Sequence, residues 1–189
     1  YSFLRFDYSG HGESEGQFED GCIGTWRDDA LSVITAITSG DLILVGSSMG
    51  GWIGLLIAQT LKDRVKGFIG IAAAPDFTDW VWNDHMTAAQ QSLCAQQGYI
   101  ETTDGGYFTQ RLFTDGANHL IFNKPLYLPF PVTVLQGGCD SGVPVAIAQK
   151  LATHITPHPA ELILIPDGDH RLSRDKDLYI LGNTIKGLI

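Results

Sequence analysis

Leu42-Ile43-Leu44-Val45-Gly46-Ser47-Ser48-Met49-Gly50-Gly51-Trp52 is the stretch whose reading decides the fold. The apolar run Leu42 to Val45 has the character of a parallel strand buried on both faces. Gly46 to Gly51 is a glycine-rich turn, and Trp52 to Leu61 reads as a helix. Within the turn, Gly46-Ser47-Ser48-Met49-Gly50 matches G-x-S-x-G, the strand-to-helix elbow that presents a serine hydroxyl. A serine on so tight a turn clashes with bulky neighbours, and glycines two residues to either side remove the clash. The helix that follows brings its unpaired N–H groups beside the reacting oxygen, with the Met49 N–H as candidate oxyanion donor. A phosphate-binding loop does not fit, because no Lys follows the glycines as in G-x-x-x-x-G-K-[ST].

Outward from this turn the chain alternates strands and helices. Tyr1 to Phe6 predicts a strand running into the turn cluster Asp7 to Gly12. Trp26, Ala30, Val33, Ile34 and Ile37 recur at helical spacing and predict a helix over 26–38, with Asp28 and Asp29 near its first turn. Val65 to Ala74 predicts the next strand, stopped by Pro75. Residues 77–131 are rich in Trp, Tyr and Phe and predict helices around 80–96 and 108–122, together a helical cap insertion. Strands follow at Val132 to Leu135 and Leu162 to Ile165, and helices at Val145 to Ile155 and Leu178 to Ile189. The order β-α-β-α-β-insertion-β-α-β-α implies one α/β domain over 1–189, with a mostly parallel sheet and helices on both faces.

A serine hydroxyl needs a positioned base at neutral pH. In this type of elbow the chain order is Ser, then Asp or Glu, then His. His170, in the loop Pro166-Asp167-Gly168-Asp169-His170 after the last strand, fits that order. His11 precedes the serine, His85 and His119 lie in the insertion, and His154 and His158 flank a helix end. Asp140 follows the strand at 132–135 and sits at a carboxyl strand end, where open parallel sheets bind ligands. There it can accept the imidazole N–H and stabilise imidazolium; the bland alternative is a loop Asp capping the next helix. Asp167 and Asp169 are alternatives, too near His170 along the chain to face it comfortably.

Hydrophobic residues make up 44% and charged residues 17%, which is globular rather than disordered composition. The net charge of −9 disfavours contact with a nucleic-acid backbone. No apolar run approaches the length of a membrane span. The cysteines Cys22, Cys94 and Cys139 lack the spacing of a zinc site or a disulfide framework, and no metal site is implied; Asp167, Asp169 and His170 form no metal motif. This usage fits a reducing compartment, cytoplasmic in a bacterium or mitochondrial in a eukaryote. Cys139 reads as a small partly buried residue rather than a nucleophile. Gly10-His11-Gly12-Glu13-Ser14-Glu15-Gly16 has the wrong glycine spacing for a dinucleotide loop and reads as a turn.

With these residues placed, the chain resembles the α/β-hydrolase superfamily along nearly its whole length. Leu4 to Gly10, Ile43 to Trp52 and Asp169-His170-Arg171 resemble a narrower group of bacterial hydrolases related to the mitochondrial palmitoyl-protein thioesterase, also known as mycophenolic acid acyl-glucuronide esterase. The resemblance implies a serine hydrolase of esters or thioesters with no cofactor, a small-molecule or acylated substrate, and Ser48, Asp140 and His170 as its catalytic residues. Substrate-binding residues and oligomeric state are not implied. It also implies strands before Tyr1, one ending in a His-Gly loop with a second oxyanion donor, so the expectation is an N-terminally incomplete sequence with an exposed sheet edge. In the acid loop, relatives carry a bulkier residue where Gly138 stands and an aromatic one where Val145 stands. The alternatives are an inactive or non-catalytic fragment, and a peptidase or lactonase on the same frame.

Overall fold

The alternation of apolar runs and helical stretches gives, in a computed structural model describing residues 1–102 and 105–189, this element order. Helix α1 (Ile23–Ile37) is followed by β1 (Leu42–Ser47), α2 (Met49–Thr60) and β2 (Val65–Ile71). Then come α3 (Phe77–Trp80), a π-turn (Val81–His85), α4 (Ala88–Gln97), β3 (Tyr99–Glu101), β4 (Tyr107–Thr109) and α5 (Gln110–Gly116). The chain closes with β5 (Leu126–Tyr127), β6 (Val132–Gly137), α6 (Val145–His154), β7 (Ile155–Thr156), β8 (Glu161–Ile165) and α7 (Asp175–Gly187). Two compact units result, Tyr1–Thr38 with Asp76–Leu120, and Ser39–Pro75 with Ile121–Ile189.

The second unit is built on a parallel sheet of strand order β1-β2-β6-β8. Strand β6 is buried along its whole length, as an inner strand covered on both faces must be. Neighbouring side chains of a strand point to opposite faces, and β2 shows what each face meets. Phe68 lies under α2, where a Cβ on Gly54 would come 2.8 Å from its ring. Ile69 joins Leu135, Ile165 and Leu172 on the other face, covered by Ile180, Leu181, Ile185 and Leu188 of the C-terminal segment. Phe68 and Ile69 have no accessible surface, and each such burial contributes about 1.5–3 kcal/mol. Helices therefore cover both faces, and parallel pairing sends the loops after β1, β6 and β8 out from one edge.

In the first unit α1 buries Ile23, Trp26, Ala30 and Ile34 along one stripe. The Trp26 indole donates to the Ser9 carbonyl at 3.1 Å, and the Gly24 N–H to Asp115 Oδ2 at 2.8 Å. Among the described residues no helix is long and apolar enough to cross a membrane.

Several elements differ from expectation. Leu42 to Val45 is not buried on both faces: β1 is an edge strand of the four-stranded sheet, partly buried, with Val45 exposed. Tyr1 to Phe6 is not a strand: a strand exists only through a backbone ladder, this run forms no ladder among the described residues, and Tyr1 and Phe3 are exposed. Helix α1 starts at Ile23, which moves Asp28 and Asp29 out of its first turn. Asp29 instead accepts from the Ser9 N–H and hydroxyl at 2.9 and 2.6 Å. The expected helix at 80–96 is broken, because Thr87 and Gln90 form a capping box that starts α4 afresh. The expected helix at 108–122 shrinks to α5: Tyr107, Phe108 and Thr109 pair with β3 in a hairpin, and the Thr109 hydroxyl caps the helix that follows.

Candidate active site

Ser48 stands between β1 and α2 with φ 52° and ψ −122°, a conformation that side-chain-bearing residues rarely adopt. The backbone of the next crossover holds it there. Its N–H donates to the Ile71 carbonyl at 2.9 Å, and its carbonyl accepts from the Ala74 N–H at 3.0 Å. The tightness explains the glycine before it, since a Cβ on Gly46 would lie 2.7 Å from the Gly50 carbonyl carbon. Gly51, outside the G-x-S-x-G pattern, is equally constrained, because its Cβ would lie 2.5 Å from that of Ala73. The buried Ala73 is small for the same reason. Met49 opens α2, which puts its N–H among the helix-end donors that have no partner within the helix.

Asp140 lies just beyond β6 with its side chain fully buried. Its Oδ1 accepts from the N–H groups of Gly142 and Val143 at 2.8 and 2.9 Å, and its Oδ2 from the Gln136 amide at 2.9 Å. Burial acts to raise the carboxyl. The Val143 N–H, the His170 ring and the Gly142 N–H together outweigh it and hold the group below the usual carboxylate range.

The loop after β8 brings His170 over this acid. His170 Nδ1 lies 3.0 Å from Asp140 Oδ2 and 3.1 Å from Oδ1, and its Nε2 lies 3.1 Å from Ser48 Oγ. With Nδ1 protonated toward the carboxylate, Nε2 is free to accept the serine proton. The two loops touch through backbone. The Cys139 N–H donates to the Gly168 carbonyl at 2.8 Å, and a Cβ on Gly137 would lie 2.5 Å from the carbonyl oxygens of Gly168 and Asp169.

Ser48, Asp140 and His170, far apart along the chain, thus meet in one hydrogen-bonded row. The other candidates point elsewhere. Asp169 Oδ1 caps the N–H groups of Arg171 and Leu172, and Asp167 pairs with Arg174 and Lys176. His154 Nε2 faces the carbonyls of Ile121 and Lys124, His119 faces Asp115, and His11 faces the Ser9 carbonyl. The Cys139 thiol is exposed and faces the Pro166 carbonyl. The 10–16 turn closes on itself through Gly10 N–H to the Glu15 carbonyl at 2.9 Å.

The sequence reading missed supporting residues. Arg174 binds both Asp167 and the buried Asp177, tying the loop that carries His170 to the start of α7. Asp175 and Asp177 in the first turn of α7 are a readable helix-start signal. Gln136 beneath Asp140 offered no signal, since a Gln at a strand end is ordinary.

The sequence model of the alpha/beta hydrolase family matches residues 1–179. This chain belongs to the α/β-hydrolase family. Among its relatives, this α/β hydrolase is 32% identical over 194 residues to the mitochondrial palmitoyl-protein thioesterase ABHD10 of Mus musculus, and 32% identical to that of Homo sapiens. The whole chain is covered in both alignments, and it spans 65% and 63% of those proteins' lengths. A putative hydrolase from Agrobacterium vitis S4 superposes with a TM-score of 0.93 at 40% identity, covering 98% of this chain and 75% of that one. The structure of alpha/beta hydrolase domain-containing protein 10 from mouse gives 0.89 at 31% identity, covering 97% and 76%.

Proposed function

We propose that the chain is a serine hydrolase that cleaves carboxylic esters or thioesters through an acyl-enzyme on Ser48. The observation that carries the reading is the unbroken row from Ser48 Oγ through His170 to Asp140, with heavy-atom steps of 3.1 and 3.0 Å. Both steps lie within hydrogen-bond reach, as proton transfer requires. The strained serine on a strand-to-helix elbow supports the same reading. The preference for thioesters and esters draws on the relatives named palmitoyl-protein thioesterase.

Ser48 Oγ attacks the carbonyl carbon while its proton passes to His170 Nε2. Asp140, ionised and hydrogen-bonded to Nδ1, stabilises the resulting imidazolium. The Met49 N–H is one donor to the tetrahedral oxyanion. Collapse breaks the bond to the leaving sulfur or oxygen, which takes the proton from Nε2. Water, deprotonated by the same nitrogen, then attacks the acyl carbonyl and releases Ser48. The substrate is an acylated small molecule or an acylated side chain.

Ser48→Ala tests the reading with p-nitrophenyl butyrate and a short acyl thioester as probes. Turnover of both is expected to fall by about a millionfold, to the residual level left when a serine nucleophile is removed. Parental turnover in the variant would refute the assignment.

A further inference from the structure

Gln136, the penultimate residue of β6, is a polar side chain with no accessible surface. Its Nε2 lies 2.9 Å from Asp140 Oδ2, 3.2 Å from the Val143 carbonyl oxygen and 3.3 Å from that of Gly137. Three acceptors around one end of the amide identify that end as the nitrogen, because the reversed amide would set oxygen against oxygen. The other end, Oε1, is buried and meets no protein partner among the described residues. An apolar side chain of the same length would avoid stranding an acceptor there. The placement makes sense if the donor end is what the site needs.

A carboxylate offers about four acceptor positions. At Asp140 they are met by the N–H groups of Gly142, Val143 and Gln136 and by the His170 ring. The loop backbone holds Oδ1, and Gln136 holds Oδ2, the oxygen nearer His170 Nδ1. Rotation of the carboxylate about its own axis is therefore stopped at both oxygens.

We infer that Gln136 is a positioning residue whose amide N–H fixes the plane of the Asp140 carboxylate, keeping Oδ2 aimed at His170 and the His170 ring aimed at Ser48. It touches neither the reacting atoms nor substrate and acts through Asp140. The inference rests on the roles proposed above for Ser48, Asp140 and His170.

Gln136→Met keeps the length of the side chain while removing both the N–H donor and the stranded oxygen. With the full chain and p-nitrophenyl butyrate, kcat falls by between about tenfold and a hundredfold at unchanged KM, the scale of a small misplacement. The melting temperature falls modestly, because the lost N–H leaves the buried Asp140 carboxylate one donor short, and removal of the stranded oxygen offsets only part of that. The downfield proton resonance of the His170 Nδ1–H broadens or disappears while the amide spectrum is otherwise kept. Gln136→His returns a ring N–H to the same place and recovers most of kcat. Parental kcat with an undisturbed imidazole resonance in Gln136→Met overturns the inference. Parental kcat at temperatures well below the melting transition, with activity lost only where the variant has begun to unfold, also overturns it, since that is a packing role. Asp140→Asn, run in parallel, separates the two levels. If it loses about ten-thousandfold while Gln136→Met is unchanged, the Gln136 assignment alone fails. If Asp140→Asn keeps parental kcat, the reading of the whole row fails.

Discussion

Asp140 and His170 sit on adjoining loops, 137–144 and 166–174, that are stiffened by different means. The acid loop uses neutral donors: two backbone N–H groups and one amide converge on a carboxylate with no exposure. The base loop uses charge. Arg174 bridges Asp167 and Asp177 at the root of the loop, and Lys176 adds a second contact to Asp167. The His170 side chain itself stays 34% exposed. In the mechanism proposed above Asp140 has to remain ionised and aimed, and the converging N–H groups together with the His170 ring serve that end. In the same proposal His170 exchanges protons with substrate and water, and its loop is anchored away from the ring.

The contrast can be broken first where the loops touch. A Cβ on Gly137 would press on the backbone oxygens of Gly168 and Asp169, which have no flexible side chain to yield. Gly137→Ala is expected to lower kcat/KM by about a hundredfold through displacement of His170, with far-UV circular dichroism unchanged. A smaller effect is expected at the root of the base loop. Arg174→Met leaves the Asp177 carboxylate buried without its cation. The melting temperature should drop, and amide exchange should quicken in 166–174 while 137–144 keeps its protection. Equal quickening in both loops would show that the charged anchor serves the acid loop as well.

The smallest effect is a difference between two pH profiles of stability. Burial works against ionisation at Asp140, the loop N–H groups and His170 overcome it, and the carboxyl lies below its ordinary value. Lys176 and Arg174 lower Asp167, and Arg174 lowers Asp177. A depressed carboxylate stabilises the fold above its unfolded value of about 3.9 and loses that contribution as pH falls through its folded value. Melting temperature should therefore fall below about pH 4. The fall should be shallower in Arg174→Met, which removes the cation shared by Asp167 and Asp177. Superimposable acid limbs would contradict the charge account of the base loop.

How far the sequence could be read follows the same division. The strand β1, the elbow and the strands β6 and β8 were legible because strands of a parallel sheet read as continuous apolar runs and the elbow demands glycine. Only β6 is buried throughout, and Val45 of β1 and Leu164 of β8 are exposed on edge strands. Chain order then singled out Asp140 and His170, which the fold brings within hydrogen-bonding distance. The unit containing 76–120 was less legible. Its aromatic residues serve equally in a hairpin and in helices, as Tyr107 and Phe108 show against Phe113. The capping box at Thr87 and Gln90 is legible in the sequence as T-x-x-Q, a helix start inside the run expected to be one helix. Tyr1 to Phe6 had strand composition, but composition cannot supply a pairing neighbour. Gln136 and Gly51 matter through contacts that only three dimensions reveal.

Peptide mapping after treatment with a fluorophosphonate tests the central claim most directly. The reagent needs an activated nucleophile and marks it covalently. The account predicts one phosphonyl group on the peptide containing Ser48, with labelling slowed strongly in His170→Ala and absent in Ser48→Ala. A label on any other residue, or undiminished labelling in Ser48→Ala, would contradict it.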